Sequence, residues 1–213
     1  MATTTKTWTF PTDTQSWVAT VDTSVGSTTT ALWQSADTSV ADGSGCLEMN
    51  MTSTNKNDIN YWEITGTWVS LFAIPGDSVV TEISTPDDYD WRCTVFVRGD
   101  ATACTTGPFE LRNSAGTLQA TFSAGLLFTG TGSWATRSGS TVSVPAAISA
   151  AGTTVKLRLN NILATVPGGG PSVILRQDQI VVTINFASKN RLVSVLGKLV
   201  KFDQTGRLFK LPF

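Results

Sequence analysis

Apolar and polar residues alternate with a period of two along most of the chain. Trp91, Cys93, Val95 and Val97 fall on one face of an extended segment, with Arg92, Thr94, Phe96 and Arg98 on the other. Phe109-Glu110-Leu111-Arg112 alternates in the same way, Asn113-Ser114-Ala115-Gly116 supplies turn chemistry, and Thr117 to Phe122 returns; the pattern predicts a hairpin. Val142 and Val144, then Val155, Leu157 and Leu159, then Ile180-Val181-Val182-Thr183-Ile184 carry the alternation on. Turn clusters separate these runs at Asp42-Gly43-Ser44-Gly45, Pro75-Gly76-Asp77, Pro86-Asp87-Asp88 and Pro167 to Pro171. The one short helical stretch suggested is Ala146 to Ala151. Many short strands with frequent turns predict an all-β protein, an antiparallel sandwich or barrel.

The pattern changes near Ala187. Residues 188–213 hold Lys189, Arg191, Lys198, Lys201, Arg207 and Lys210 against one acid, Asp203, for a net charge of +5. The preceding 187 residues hold nine basic and fifteen acidic residues, a net −6. Within the tail, Gly197-Lys198-Leu199-Val200-Lys201-Phe202 is echoed by Gly206-Arg207-Leu208-Phe209-Lys210-Leu211, which predicts two short strands about a turn. A hairpin alone is marginal in water, so its apolar residues need a surface, either their own domain or a neighbour. The expected organisation is a sandwich over 1–187 and an anchoring extension over 188–213.

Composition agrees with strands and narrows the chemistry. Thirty-four threonines favour pleated, half-buried surfaces, because branched side chains lose rotamer freedom in helices. Histidine is absent, which removes the commonest general base, the commonest zinc ligand and every Ser-His or Cys-His pair. No HExxH, GxSxG, P-loop or GxGxxG occurs, and Gly168-Gly169-Gly170 has no strand-to-helix context that would make it a phosphate cradle. A non-catalytic protein is expected, with paired carboxylates the one enzymatic chemistry left open. Cys46, Cys93 and Cys104 do not form a disulfide framework; Cys93 and Cys104 either pair across a loop or pack as small hydrophobes. No membrane span and no secretory leader is read in the chain, so synthesis and folding in the cytoplasm are expected.

Several segments, in order, resemble jelly-roll carbohydrate-binding modules of the kind found beside glycoside hydrolases. Trp8-Thr9-Phe10 followed by Gln15-Ser16-Trp17 is similar to their first strand, and Tyr89 to Gly99 to their central strand. Trp134-Ala135-Thr136-Arg137-Ser138, leading to Pro145, resembles their Trp-containing strand, and Leu175 to Val182 their last strand with its Asp. The resemblance covers residues 6–187 and implies a jelly-roll β-sandwich. It also implies that Asp178 matches a position that often helps hold a structural calcium, although no acidic partner stands near the N-terminus. Asp178 is therefore either a calcium ligand or a strand-edge residue; no other cofactor is expected.

Aromatic faces stack on sugar rings. Trp8, Trp17, Trp91 and Trp134 occupy framework positions of the resemblance and are expected in the core. Trp33, Tyr61, Trp62 and Trp68 are the candidate glycan-binding residues, with one of Tyr61 and Trp62 facing away from the core. In the tail, Leu199, Phe202, Leu208 and Phe209 are candidates to fill partner pockets, with Lys201, Arg207 and Lys210 meeting acidic surface. An acidic body argues against nucleic acid as the partner. The function expected from these readings is a virion structural protein, a bacteriophage capsid decoration or fibre- or tail-associated protein, anchored by its tail at the virion surface. Its partners would be other virion proteins, further copies of itself and host-surface glycans, without membrane insertion. A freestanding glycan-binding module is the alternative.

Overall fold

A computed structural model describes residues 1–21, 27–35, 45–53, 59–85, 90–96, 103–123, 127–129, 134–136, 139–163, 172–188, 192–195, 198–202 and 208–210. For several strand segments, among them 90–96, 103–107, 134–136 and everything beyond 191, it describes the backbone alone. The chain opens with β1 (Ala2–Trp8), β2 (Val18–Thr20), β3 (Ser27–Gln34), β4 (Cys46–Ser53) and β5 (Ile59–Thr67). A five-residue helix, α1 (Trp68–Phe72), follows. Next come β6 (Ser78–Ser84), β7 (Asp90–Phe96), β8 (Ala103–Asn113), β9 (Leu118–Ser123), β10 (Leu127–Thr129) and β11 (Trp134–Thr136). β12 (Val142–Ser143), a 3₁₀ turn at Ala146–Ile148, β13 (Thr154–Leu163), β14 (Ser172–Asp178) and β15 (Ile180–Ser188) complete the body. The tail forms β16 (Leu192–Val195), β17 (Lys198–Phe202) and β18 (Leu208–Lys210).

All strand pairings are antiparallel, and the fold is the jelly-roll β-sandwich expected. A six-stranded sheet runs β10-β8-β13-β5-β2, with β9 also on β8. Opposite it lie a five-stranded sheet, β11-β7-β14-β4-β3, and a four-stranded sheet, β1-β15-β6-β12. The last two follow one another along the chain, because β14 passes into β15 through Gln179. Gln179 takes a left-handed φ of 48°, which side chains other than glycine rarely adopt. Its insertion shifts the alternation by one residue. Leu175 and Gln177 face inward before it; Ile180, Val182 and Ile184, all fully buried, face inward after it.

The core lies between the sheets. Phe109, Leu111, Val155, Leu157, Leu159, Trp62 and Ile64 enter it from the six-stranded sheet; Leu47, Met49, Met51 and Leu175 enter from the five-stranded one. Val80, Ile83, Val182 and Ile184 do so from the four-stranded sheet. A chain of aromatic contacts threads this space. Trp68 meets Phe72 at 5.9 Å between ring centroids, and Phe72 meets Trp8 edge-on at 6.2 Å. Trp8 stands edge-on to Trp17 at 5.6 Å, Trp17 reaches Phe109 at 6.3 Å, and Phe109 packs on Phe122 at 4.3 Å. Trp8 and Trp17 are thus core residues, as expected; the side chains of Trp91 and Trp134 lie outside the described residues.

The helix α1 is too short to leave a periodic signature. It forms because Thr67 Oγ1 accepts the Ser70 amide and Ala73 closes the other end in the left-handed region. Its Trp68, Leu71 and Phe72, at i, i+3 and i+4 spacing, are buried. The Trp68 indole N–H donates to the Ile148 carbonyl at 2.7 Å, which ties α1 to the 3₁₀ turn that stands where a helical stretch was predicted. None of the helices described is long and apolar enough to cross a membrane.

The predicted hairpins are present. β8 and β9 pair around Asn113–Gly116, and β17 pairs with β18. β16 adds a third strand to the tail that the repeat alone did not predict. Cys46 is buried, and Cys93 and Cys104 stand on β7 and β8, strands of different sheets. Replacing Trp68 by Ala would remove the largest side chain of α1 from the aromatic chain. A loss of about 3–5 kcal/mol in unfolding free energy is expected, measurable by urea denaturation.

Candidate functional site

The alternation that sends apolar residues inward leaves a row of charged residues on the outer face of the six-stranded sheet. In register, Glu63 of β5, Arg158 of β13 and Glu110 of β8 lie side by side. One step along, Thr65, Lys156 and Arg112 do the same. Thr20, Tyr61 and Asn160 form the row on the other side. Neighbouring strands are about 4.8 Å apart, so side chains on adjacent strands are in reach of one another.

These groups are locked together. Arg158 places Nε and Nη2 at 2.8 and 2.7 Å from the same Glu63 oxygen, Oε2. Lys156 Nζ lies 3.0 Å from the other oxygen, so one carboxylate serves two cations. Arg112 points Nε and Nη2 at Glu110 Oε2, at 2.8 and 2.7 Å, and donates through Nη1 to the Gly116 carbonyl. The Arg158 guanidinium also lies 3.7 Å from the centre of the Tyr61 ring, a cation–π contact that fixes both planes. Asn160 donates to the Pro108 carbonyl at 2.8 Å. The result is a pre-set array of planar polar groups beside one aromatic ring. Vicinal sugar hydroxyls are recognised by such groups, which donate and accept from fixed positions while an aromatic ring supplies apolar area.

The four aromatic candidates are separated by the fold. Tyr61 alone reaches this face; it is half-buried beneath Arg158. Trp62, its neighbour, faces inward with 3 % exposure, and Trp68 is fully buried in α1. Both are withdrawn as sugar platforms, because period-two alternation in β5 and the capped helix carry them into the core. Trp33 is half-buried on the edge strand β3, in register with Leu47, with its indole N–H donating to the Phe10 carbonyl at 2.7 Å. Its polar end is therefore occupied, and it stands on a different sheet from Tyr61. Glu63, Lys156, Arg158, Glu110 and Arg112 were not among the expected site residues. Their signal was present as the polar half of the alternating runs around Val155–Leu159 and Phe109–Arg112.

The five-stranded sheet carries a comparable outer row. Arg176 Nε donates to Glu48 Oε2 at 2.7 Å, and Leu32 lies in register beyond Glu48. Asp178 ends β14 fully buried, and no group of three or more Cys, Asp or Glu side chains able to hold a metal gathers among the described residues. A calcium ion takes six to eight oxygen ligands, backbone carbonyls among them; nothing below depends on a metal. Of the expected tail contacts, Arg207 lies outside the described residues. Leu199, Lys201, Phe202, Leu208, Phe209 and Lys210 are placed on β17 and β18 by backbone only.

No protein-family model matches the chain, and no curated protein is similar to it. Solved structures similar to it include β-sandwich carbohydrate-binding modules. One, from a study of promiscuous specificity in the β-sandwich superfamily of these modules, has a TM-score of 0.49 at 11 % identity over 79 % of this chain. This chain spans 57 % of that one's length. The CBM22-1 xylan-binding domain of Xyn10C from Paenibacillus barcinonensis gives 0.43 at 15 % identity, covering 84 % of this chain and 91 % of that one. The C-terminal family 22 module of Clostridium thermocellum Xyn10B gives 0.46 at 12 % identity, covering 87 % and 95 %.

Glu63 is the keystone of the outer row, so Glu63→Gln leaves two cations facing each other across a neutral amide. The cost should fall between that of an exposed pair, about 0.5 kcal/mol, and that of a broken buried pair, about 3–5 kcal/mol. A drop of about 2 kcal/mol in chemical denaturation is expected, with near-native stability restored by adding Lys156→Gln.

Proposed function

We propose that the chain is a non-catalytic glycan-binding module whose binding face is the outer surface of the six-stranded sheet. The observation that carries this reading is the locked array of Tyr61, Arg158, Glu63 and Lys156. Its donors and acceptors are held by one another, so a sugar would meet them already oriented, and little side-chain freedom is lost on binding. Exposed Val18 stands in register with Glu63 at one margin of the sheet, and exposed Leu118 with Arg112 at the other. They offer apolar area to the CH faces of a chain lying across the strands. Tyr61→Ala should weaken retention in a polysaccharide affinity gel about tenfold, the size of about 1.4 kcal/mol, while the melting temperature changes little. Unchanged retention would remove Tyr61 from the site.

We propose further that residues 188–213 are an attachment element for a protein neighbour, in the virion setting a particle protein or another copy. The support is the tail's own sheet. Its register rows Val193–Val200–Lys210 and Phe202–Leu208 alternate with Leu192–Lys201–Phe209 and Ser194–Leu199, so large apolar residues occur in both sets of rows. A sheet of that pattern, at +5 against a body at −6, suits a covered, acid-lined seat better than open water. Light scattering behind a sizing column should find residues 1–187 folded and monomeric beside a self-associating full chain. A truncated chain that does not fold would assign the tail to the sandwich instead.

A further inference from the structure

We infer that the face formed by Lys156, Arg158, Arg112, Glu63 and Glu110 selects acidic polysaccharide, a chain bearing carboxylate or sulfate groups, over neutral polysaccharide. This inference rests on the glycan-binding reading and names its ligand class.

The argument begins with how the charges are layered. Three cations share two carboxylates, which leaves the row one positive charge in excess. The carboxylates are also the deeper groups: Glu110 and Glu63 side chains are 8 and 12 % exposed, whereas Arg112 and Lys156 are 20 and 24 % exposed. Arg158, at 13 %, is as deep as Glu63, so the most exposed charged side chains of the row are the cations Lys156 and Arg112. Solvent, and any ligand, therefore meets a positive surface on a body that is otherwise acidic, at −6 over residues 1–187.

The second observation is the register. Lys156 and Arg112 are directly opposite one another on β13 and β8, and like charges so placed are unfavourable. Each is held by its own carboxylate in the adjacent row, Lys156 by Glu63 on β5 and Arg112 by Glu110 on its own strand, so no carboxylate stands in the row the two cations share. An anionic group bridging Lys156 and Arg112 would relieve that repulsion and take charge-assisted hydrogen bonds from both. A sugar acid threaded across the strands brings such a group within reach while its ring lies beside Tyr61. A neutral sugar gains the ring contact but engages the charge of neither cation.

The test uses the full-length chain and two matched pairs of polymers, polygalacturonate with its methyl ester and dextran sulfate with dextran. Retention of the wild-type chain in affinity gels, or titration calorimetry, should show binding to at least one acidic polymer at least about tenfold tighter than to its neutral counterpart. The difference between the acidic polymers assigns carboxylate or sulfate. The preference should shrink as salt rises from 0.1 to 1 M, where the Debye length falls from about 10 Å to about 3 Å. Lys156→Gln should reduce retention on the preferred acidic polymer and narrow its margin over the neutral one. Equal binding to the acidic and neutral members of both pairs, or a preference for the neutral ones, overturns the charge inference and leaves the glycan reading standing. Binding to none of the four, nor to xylan, mannan or cellulose, overturns both. The comparison of polymers needs no substitution, so a poorly folded variant does not blunt it.

Discussion

The contact on which the rest of the molecule depends is the run of aromatic rings from Trp68 to Phe122. It joins parts of the chain that backbone hydrogen bonds do not join: the helix α1, the first strand, the segment around Trp17 and the hairpin β8–β9. Sheets in a sandwich are held to one another only by the side chains between them. A large ring at each handover keeps the six-stranded sheet at a fixed separation from the layer containing β1. That is why all six of these rings have 4 % exposure or less at positions of quite different sequence context, and why Trp62 and Trp68, which look available for sugar, turn out to be committed. The outer faces can then carry polar residues at high density, because they contribute little to holding the layers together.

The charged row on the six-stranded sheet is the other side of that division of labour. Burying the apolar half of each strand forces the polar half outward, and on β13 that half consists of long cations. Leaving them unpaired on a flat sheet would be costly; meeting them with Glu63 and Glu110 makes a surface that is stiff without being neutral. The five-stranded sheet repeats the device with Arg176 and Glu48. Such pairs fix the orientation of the side chains while contributing less net energy than fully buried ones.

Much of the architecture could be read from the amino-acid order because it rests on local rules. Alternation located β8, β13 and β15, and turn chemistry located the hairpin at Asn113–Gly116. Helix α1 escaped because five residues carry too little periodicity, and its caps, Thr67 and Ala73, are not distinctive residue types in that role. The site was only partly legible. Alternation could say that one of Tyr61 and Trp62 faces out, but which one depends on which face of β5 the core occupies. Arg158 and Glu110 are 48 residues apart in sequence and become neighbours only through the pairing of β13 with β8; no local motif announces such a row. Aromatic content pointed to tryptophan, whereas the folded face is built mainly from charge.

Gln179 has a bearing on how the two halves of the outer layer can differ. Because the strand spends one extra residue there, the face that β14 turns to solvent and the face that β15 turns to solvent follow opposite parities of the same stretch of chain. On β14 the partly exposed positions are the even-numbered Ile174 and Arg176, on β15 the odd-numbered Thr183, Asn185 and Ala187, while Asp178 and Val181 beside the pivot are buried. Each half can acquire its own surface chemistry without a compensating change in the other, so a single left-handed residue gives one continuous layer two independently variable exteriors.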